Sequence, residues 1–558
     1  MRLFIVTLLC IPLFAAQVWI DFQGNQTFDK ERLFHELGFE KSLSQKLLFK
    51  KLRPKVEARL LPSLLEELKL FYQEQGFFDV SIDTKFQNDS VIFMIDENEP
   101  IKIAAISVTS DFPIKHLIPF HTGDRFIVPA FVQMKKDIKK ALLQKGYCSY
   151  ELNAKAYIYK KNRIAYIVLY LKKGQICDIG SIQIQSTIPK KVVQDHIFFK
   201  PGQPFSLERV DESYKELYSL GYFRSILIDY SKKIDNHILL DINLKERKKK
   251  NIYKAGIGFE TDRGALINLF YKNTNFHLHQ PSITLTYSDI KKELSFQDFY
   301  PSITLFDNDY DITNRLSLAK DRYDTFQTDS VQINSKLIKK NFFSSYSFGL
   351  TLRKERVTST QSCIGNGYYT LLYPSITFFL DRRDSKIDPT KGWFLSLKAQ
   401  SSLKAFSNSN FLKTETTFGW YYPLESVQLY AKAKFGQLLI ANGNLPPSIY
   451  FYAGGSSSNR AYSYRSIHAL DSSCDIGGKS LLQTTVEFRK PVFKNVLGAL
   501  FWDRVYLSRK SFTIDRYVDG VGLGAIYPTP IGNIKAYFGI DPKNISQNSF
   551  FILIGESF

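Results

Sequence analysis

The chain has 558 residues, too many for one ordinary domain, so two or more are expected. It carries 32 Tyr and 46 Phe but only 3 Met and 4 Trp, at a mean hydropathy of −0.18. Beyond the first residues no run of about 18 apolar residues occurs, which excludes helical membrane spans. The formal net charge of +20 comes without a nucleic-acid-binding motif, and the lysines are spread over polar strand faces, so nucleic acid is not the expected partner.

Residues 1–16 read as a secretory signal. Arg2 is the positive end, Leu3 to Phe14 the apolar stretch, and Ala15-Ala16 the small residues before Gln17. Four cysteines outlast cleavage: Cys148, Cys177, Cys363 and Cys474. Export makes disulfides chemically accessible to them.

One phrase then recurs at the end of a helical pattern: Tyr72-Gln-Glu-Gln-Gly76-Phe77-Phe78, Leu143-Gln-Lys-Gly146-Tyr147 and Leu217-Tyr-Ser-Leu-Gly221-Tyr222-Phe223. Each glycine can close its helix in the left-handed conformation. Each copy opens with a strand: Val18–Phe22, Ile103–Val108 and Ile179–Ile184. The longest helices are expected at Pro54–Gln75, Pro129–Gln144 and Leu207–Leu220. Two strands follow each glycine, at about Ser149–Tyr159 and Arg163–Leu171 in the second copy. The unit is strand–helix–helix–strand–strand, a small sheet with helices on one face.

This order and the Gly-aromatic phrase resemble polypeptide-transport-associated (POTRA) domains, in three tandem copies over about residues 17–248. The expected boundaries are 17–99, 100–175 and 176–248. The resemblance implies capture of extended client polypeptides by strand addition, and an open sheet edge is physically suited to that task. Spacers that merely hold something at a distance are the plainer alternative. The basic junction Leu244-Lys-Glu-Arg-Lys-Lys-Lys250 reads as a solvated linker, or as a headgroup contact if a membrane domain follows.

Residues 249–558 alternate persistently. Val427, Leu429, Ala431, Ala433 and Phe435 interleave with Gln428, Tyr430, Lys432 and Lys434. Trp393, Leu395, Leu397 and Ala399 interleave with Ser396, Lys398 and Gln400. A face this charged does not fit a sandwich core, the competing architecture. In a membrane barrel the apolar face meets lipid and the polar face lines water. About 16 antiparallel strands fit the length.

One stretch breaks the alternation. Gly454-Gly455-Ser-Ser-Ser-Asn459-Arg460-Ala461-Tyr462 is a loop signal, and we expect the loop over 453–478 to fold into the barrel and plant Arg460 on its inner wall. An incidental arginine on a surface loop is the bland reading. Several phrases in order are similar to the bacterial surface antigen family, the barrels of outer-membrane protein assembly factors. They are Asp381-Arg-Arg-Asp384…Pro389-Thr-Lys-Gly392, Gly454-Gly455…Arg460-Ala461-Tyr462, Gly477-Gly478…Glu487-Phe-Arg-Lys-Pro491, Phe501-Trp502-Asp503 and Tyr527-Pro-Thr-Pro-Ile-Gly532. The resemblance implies that Arg460 meets Glu487 and Asp503. Strand parity agrees in part, since Glu487 shares a face with Gln483, Thr485 and Arg489. Asn459 stands where the family has an aliphatic residue and Ala461 where it has glycine, which puts the backbone of the loop tip in question.

The final strand, ending in Phe558, resembles the family's own assembly signal. It must pair with the first strand, Lys254–Phe259, and Gly256, Gly258 and Gly555 thin the packing at that seam. A seam that opens to a client strand is the mechanism this implies. Cys363 and Cys474 both fall in predicted long loops, and an extracellular disulfide between them is expected; Cys148 and Cys177 are open between a second pair and two thiols. No catalytic motif, cofactor site or metal-ligand spacing is seen. Asp381, Asp384 and Asp388 read as a turn and not a calcium loop.

The expected function is outer-membrane protein assembly or translocation, with unfolded client proteins and membrane lipid as partners. Three periplasmic units resemble the outer-membrane subunit of the translocation and assembly module, which implies a periplasm-spanning inner-membrane partner. The alternatives are a two-partner-secretion-type export pore or a passive outer-membrane channel.

Overall fold

The computed structural model describes residues 17–41, 51–260, 264–386, 389–402, 406–472, 474–493, 496–527, 529 and 533–554. The expected signal, 1–16, lies outside them. Two compact units emerge: one runs to Ile182 and adds Lys200–Glu208 and Tyr230–Leu240, and the other holds Gln183–Phe199, Arg209–Asp229 and Asp241–Phe558.

The first small sheet is ordered Lys55–Glu57, Gln17–Gln23, Ser90–Asp96, Ser81–Gln87. Its core gathers Phe22, Leu33, Leu68, Tyr72 and Phe93, all fully buried. Here the expected helix Pro54–Gln75 is corrected, because a 3-10 turn at Ala58–Leu60 leads into an α-helix that runs only from Leu61 to Glu74. Pro62 fits a first helical turn, where its missing N–H is no loss. The residues ahead of the 3-10 turn, Lys55-Val-Glu57, alternate and pair with the opening strand, putting Val56 in the core. The second sheet is ordered Lys102–Ser110, Ile164–Lys172, Glu151–Tyr159, under the helix Val128–Gln144. The third is ordered Asp178–Gln185, His237–Glu246, Phe223–Ile234.

The repeated glycine does more than end a helix. Gly76 and Gly146 have φ of +95° and +85°. The carbonyl of Gly76 accepts from the Ile101 amide at 2.8 Å, and the Ile101 carbonyl in turn accepts from Phe126 at 2.9 Å. The next joint repeats this atom for atom, with Cys177 N–H to the Gly146 carbonyl at 3.0 Å and Phe205 N–H to the Cys177 carbonyl at 2.8 Å. A Cβ on Gly146 would lie 2.8 Å from the Phe205 carbonyl oxygen. Gly146→Ala therefore meets two costs, about 1–2 kcal/mol for a left-handed alanine and the clash with its neighbour. Faster hydrogen exchange at the Cys177 amide in the full protein is the expected result; unchanged protection would show that the joint does not depend on this glycine.

Among the described residues sixteen antiparallel strands close into a barrel in chain order, from Asn251–Glu260 to Asn544–Ile554. Leu350, Phe348, Leu397 and Phe435 are exposed on its outer face. Glu487, Gln483 and Thr485, which pair across the wall with Tyr430, Lys434 and Lys432, are buried inside. This split gives lipid an apolar wall and water a polar lining.

Within the second unit, the third sheet's helices rest on the barrel turns. The Tyr222 hydroxyl donates to the Leu278 carbonyl at 2.5 Å, and Gln280 Nε2 to the Leu220 carbonyl at 2.7 Å. His196, 3 % exposed, holds the Val192 carbonyl through Nδ1 at 2.7 Å and Asp311 through Nε2 at 3.1 Å. Burial alone would lower the imidazole pKa, but the bond and charge of Asp311, with Glu216 beyond, raise it above the ordinary value. A raised folded pKa stabilises the docked state fully below the unfolded value near 6.5 and loses that stability as pH climbs through the folded value. Melting temperature is expected to fall from pH 6 to pH 8.5 in wild type, and to fall less in Asp311→Asn. Parallel pH profiles for the two proteins would remove His196 as the cause.

Candidate functional site

The loop between the eleventh barrel strand (Val427–Gly443) and the twelfth (Ser480–Phe493) enters the lumen as a short antiparallel stem. Phe451 and Gly478 exchange both backbone bonds at 2.9 and 2.8 Å, and Ala453 and Ile467 do the same at 3.3 and 3.0 Å. Above the stem, Gly454 and Gly455 turn the chain with φ of +102° and +95°. They must be glycine on two counts: the angle disfavours any side chain, and a Cβ on Gly454 would run into the Ser463 carbonyl. Ser458 then locks the turn, accepting from the Gly454 amide at 3.1 Å and donating to Gln483 of the wall at 3.2 Å.

This turn delivers Arg460 to the inner wall, 4 % exposed. Its Nε and Nη2 donate to Asp503 at 2.8 and 3.0 Å, its backbone amide adds a bond to Asp503 at 3.1 Å, and Nη1 donates to Glu487. Asp503 and Glu487 are 0 % and 1 % exposed. The guanidinium plane lies over the Phe501 ring, Cζ 3.6 Å from its centroid, with Tyr537 at 4.9 Å. Glu487 has a second cation, Arg489 Nε at 2.6 Å. A planar fork matched to two carboxylates and an aromatic floor fixes position and rotation together, which an ammonium cannot do. Tyr462 does not join this cluster; its hydroxyl donates to Asp541.

Ala461 does not adopt a positive φ, so the missing glycine carries no strain; beyond Gly454 and Gly455, the left-handed residue in this part of the loop is Arg465 at +61°. Asn459 is fully buried, with Oδ1 accepting from the Ala461 amide at 3.1 Å and Nδ2 donating to the Val518 carbonyl at 3.4 Å.

Sequence reasoning missed the surface that receives the loop tip. A Cβ on Gly520 would lie 3.0 Å from that of Ala461, and one on Gly539 3.0 Å from the Ala461 nitrogen. Two glycines inside otherwise alternating strands were the available signal, since they mark close backbone approach. Phe501 was also readable, because it shares strand parity with Asp503.

Cys363 and Cys474 form a disulfide with Cα atoms 6.2 Å apart, tying the outer flank of the arginine loop to the turn between the seventh and eighth strands. Cys148 and Cys177 form another, 5.8 Å apart. Asp384 accepts from the amides of Ser385, Thr390 and Lys391 at 2.9, 3.0 and 3.2 Å, which makes its segment a turn; Asp388 lies outside the described residues. At the seam, Ile257 faces Ile554 and Glu260 faces Phe551. Gly256 and Gly258 lie in the first strand, and a Cβ on Gly258 would approach the Ile552 carbonyl oxygen at 3.2 Å. Gly555 and Phe558 lie outside the described residues.

The Omp85 superfamily domain matches residues 217–558, and the surface antigen variable number repeat, a POTRA family, matches residues 178–247. The chain is 19% identical over 568 residues to an outer membrane protein assembly factor BamA of Neorickettsia risticii (strain Illinois), covering 92% of this chain and 74% of that one. Among solved structures, BamA from Haemophilus ducreyi lacking POTRA domains 1-3 shares the fold with a TM-score of 0.52 at 14% identity, over 82% of this chain and 100% of that one. CdiB from Acinetobacter baumannii gives a TM-score of 0.48 at 15% identity, over 89% and 99% of the two chains. The chain belongs to the Omp85 superfamily, an outer-membrane barrel with its N-terminal domains in the periplasm.

Proposed function

We propose that this protein inserts client proteins into the outer membrane, capturing them by strand addition and passing them through a seam between its first and last barrel strands. Family membership carries the coarser role, insertion or export of polypeptides at the outer membrane. The finer reading is supported by one observation above others. Every other neighbouring pair in the ring is consecutive in sequence, whereas the closing pair brings together strands at opposite ends of the domain. Ladder pairing joins those two strands at Ile257–Glu260 and Phe551–Ile554, and a client strand can replace backbone hydrogen bonds one for one.

The periplasmic sheets offer matching edges. Ser81–Gln87 and Glu151–Tyr159 are terminal strands of their sheets, and most of Ser81–Gln87 is exposed. Unfolded clients would pair there before reaching the barrel, and the N-terminal units would meet a periplasm-spanning inner-membrane partner. Lipid is the third participant, as the medium that receives the client. Depleting the protein and counting folded barrels in the outer membrane tests this reading. Client barrels should fall together; undiminished barrels with loss of a single secreted polypeptide would make it an export pore instead.

A further inference from the structure

We infer that the barrel lumen holds a binding site for a phosphate group at the root of the arginine loop. The cavity measures about 390 Å³. Its wall is built from the sixth to tenth strands (Phe326–Asn341, Ser344–Ser359, Gly367–Asp381, Gly392–Ser402 and Ser409–Leu424).

Lys336 and Lys413 belong to one register row across this wall: Lys336 faces Gly349, Gly349 faces Ser375, Ser375 faces Gln400, and Gln400 faces Lys413. The two smallest side chains of that row, Gly349 and Ser375, leave a hollow between the lysines. Lys398 enters one layer away, opposite Thr377.

The charges lining the cavity do not balance. Arg353 is paired with Glu355, and Glu415, the one carboxylate of the lining, is paired with Lys434 at 2.7 Å. Lys336, Lys398 and Lys413 make no ion pair among the described residues; Glu415 attracts Lys413 but is already held by Lys434, and Lys398 repels both of the others. Three ammonium groups facing one half-enclosed hollow repel each other more than they would in open water. A compact, multiply charged anion relieves that repulsion.

Lysine binds phosphate as a point charge, and the cavity's arginine, whose fork suits carboxylate and phosphate alike, is already taken. Thr351, Ser375, Thr377 and Gln400 supply neutral donors on the same lining. The hollow opens to the lumen and not to lipid, so the ligand is a water-borne phosphate and not a lipid headgroup.

The location gives the site a consequence. Lys413 Nζ also donates to the Ile449 carbonyl at 2.7 Å and lies 4.3 Å from the centre of the Phe451 ring. Ser448, beside Ile449, donates to Glu355 at 2.7 Å. Both belong to the segment that leads into the arginine loop, so phosphate on Lys413 stiffens the root of that loop.

Calorimetric titration of inorganic phosphate into the full protein in a neutral detergent tests the assignment. Saturable binding is expected, weakened about a hundredfold or more in Lys336→Gln/Lys398→Gln, since each lost charged contact accounts for about tenfold or more. Heat-modifiable gel mobility confirms that the variant barrel is folded. Absence of saturable binding, or equal affinity in the folded double variant, overturns the site. Lysine-dependent binding of phosphatidylglycerol vesicles without binding of free phosphate overturns it in favour of lipid. Tighter, lysine-dependent binding of hexaglutamate overturns it in favour of an acidic polypeptide.

Discussion

Cysteines placed at Phe259 and Ile552 and then oxidised should abolish insertion of client barrels. These residues face each other in the closing strand pair. Opening that pair exchanges backbone hydrogen bonds whose net worth is about 1 kcal/mol each, a cost that an incoming strand repays with bonds of its own. A covalent bond offers no such exchange. Trp393→Cys with Trp420→Cys is the matched control, because those residues face each other across the ninth and tenth strands, which follow one another in the chain. The control should oxidise equally well and keep its activity. Insertion is measured in vesicles as protease-resistant client, before and after oxidation. Full insertion with the seam locked would sink the opening mechanism, while loss in both pairs would point to general rigidity.

How much of this was legible beforehand depended on the kind of information each feature needed. Periodicity sufficed for the barrel, because an apolar and a charged face alternating over three hundred residues have few other homes. Parity sufficed to turn Glu487 inward. Neither could give height in the barrel, so the meeting of Arg460 with both Glu487 and Asp503 rested on family resemblance until the register of the twelfth and thirteenth strands was known.

The misplaced start of the helix at Pro54 shows a local failure of the same kind. Lys55–Glu57 is too short to announce itself as a strand, and only its partner Gln17–Trp19 makes it one. His196 and Asp311 were invisible for a similar reason: they lie 115 residues apart in the chain, and a buried histidine in a sequence looks like any other. Ala461 misled in the opposite direction. It raised a concern about backbone strain, yet its φ is not positive.

Arg460→Ala should release the loop tip and cost client assembly most of its rate, with the size of the effect set by the second anchor at Cys474. Removing the guanidinium leaves Asp503 and Glu487 buried without it, and breaking a buried pair in this way costs about 3–5 kcal/mol. Asp503 suffers more, since Arg489 still reaches Glu487. Arg460→Lys keeps the charge but not the fork or the stacking over Phe501, so it should fall between wild type and alanine. Adding Asp503→Asn to Arg460→Ala should recover part of the lost stability by removing the stranded charge, without restoring assembly. The disulfide to Cys363 holds the loop's outer flank whatever happens at the tip. Protease cleavage between Ser456 and Tyr464 should therefore rise modestly in Arg460→Ala, and sharply once Cys474→Ser is added. If alanine and lysine variants both keep full assembly and full protection of the loop, the arginine is an ornament of the lumen and the loop is held by its stem.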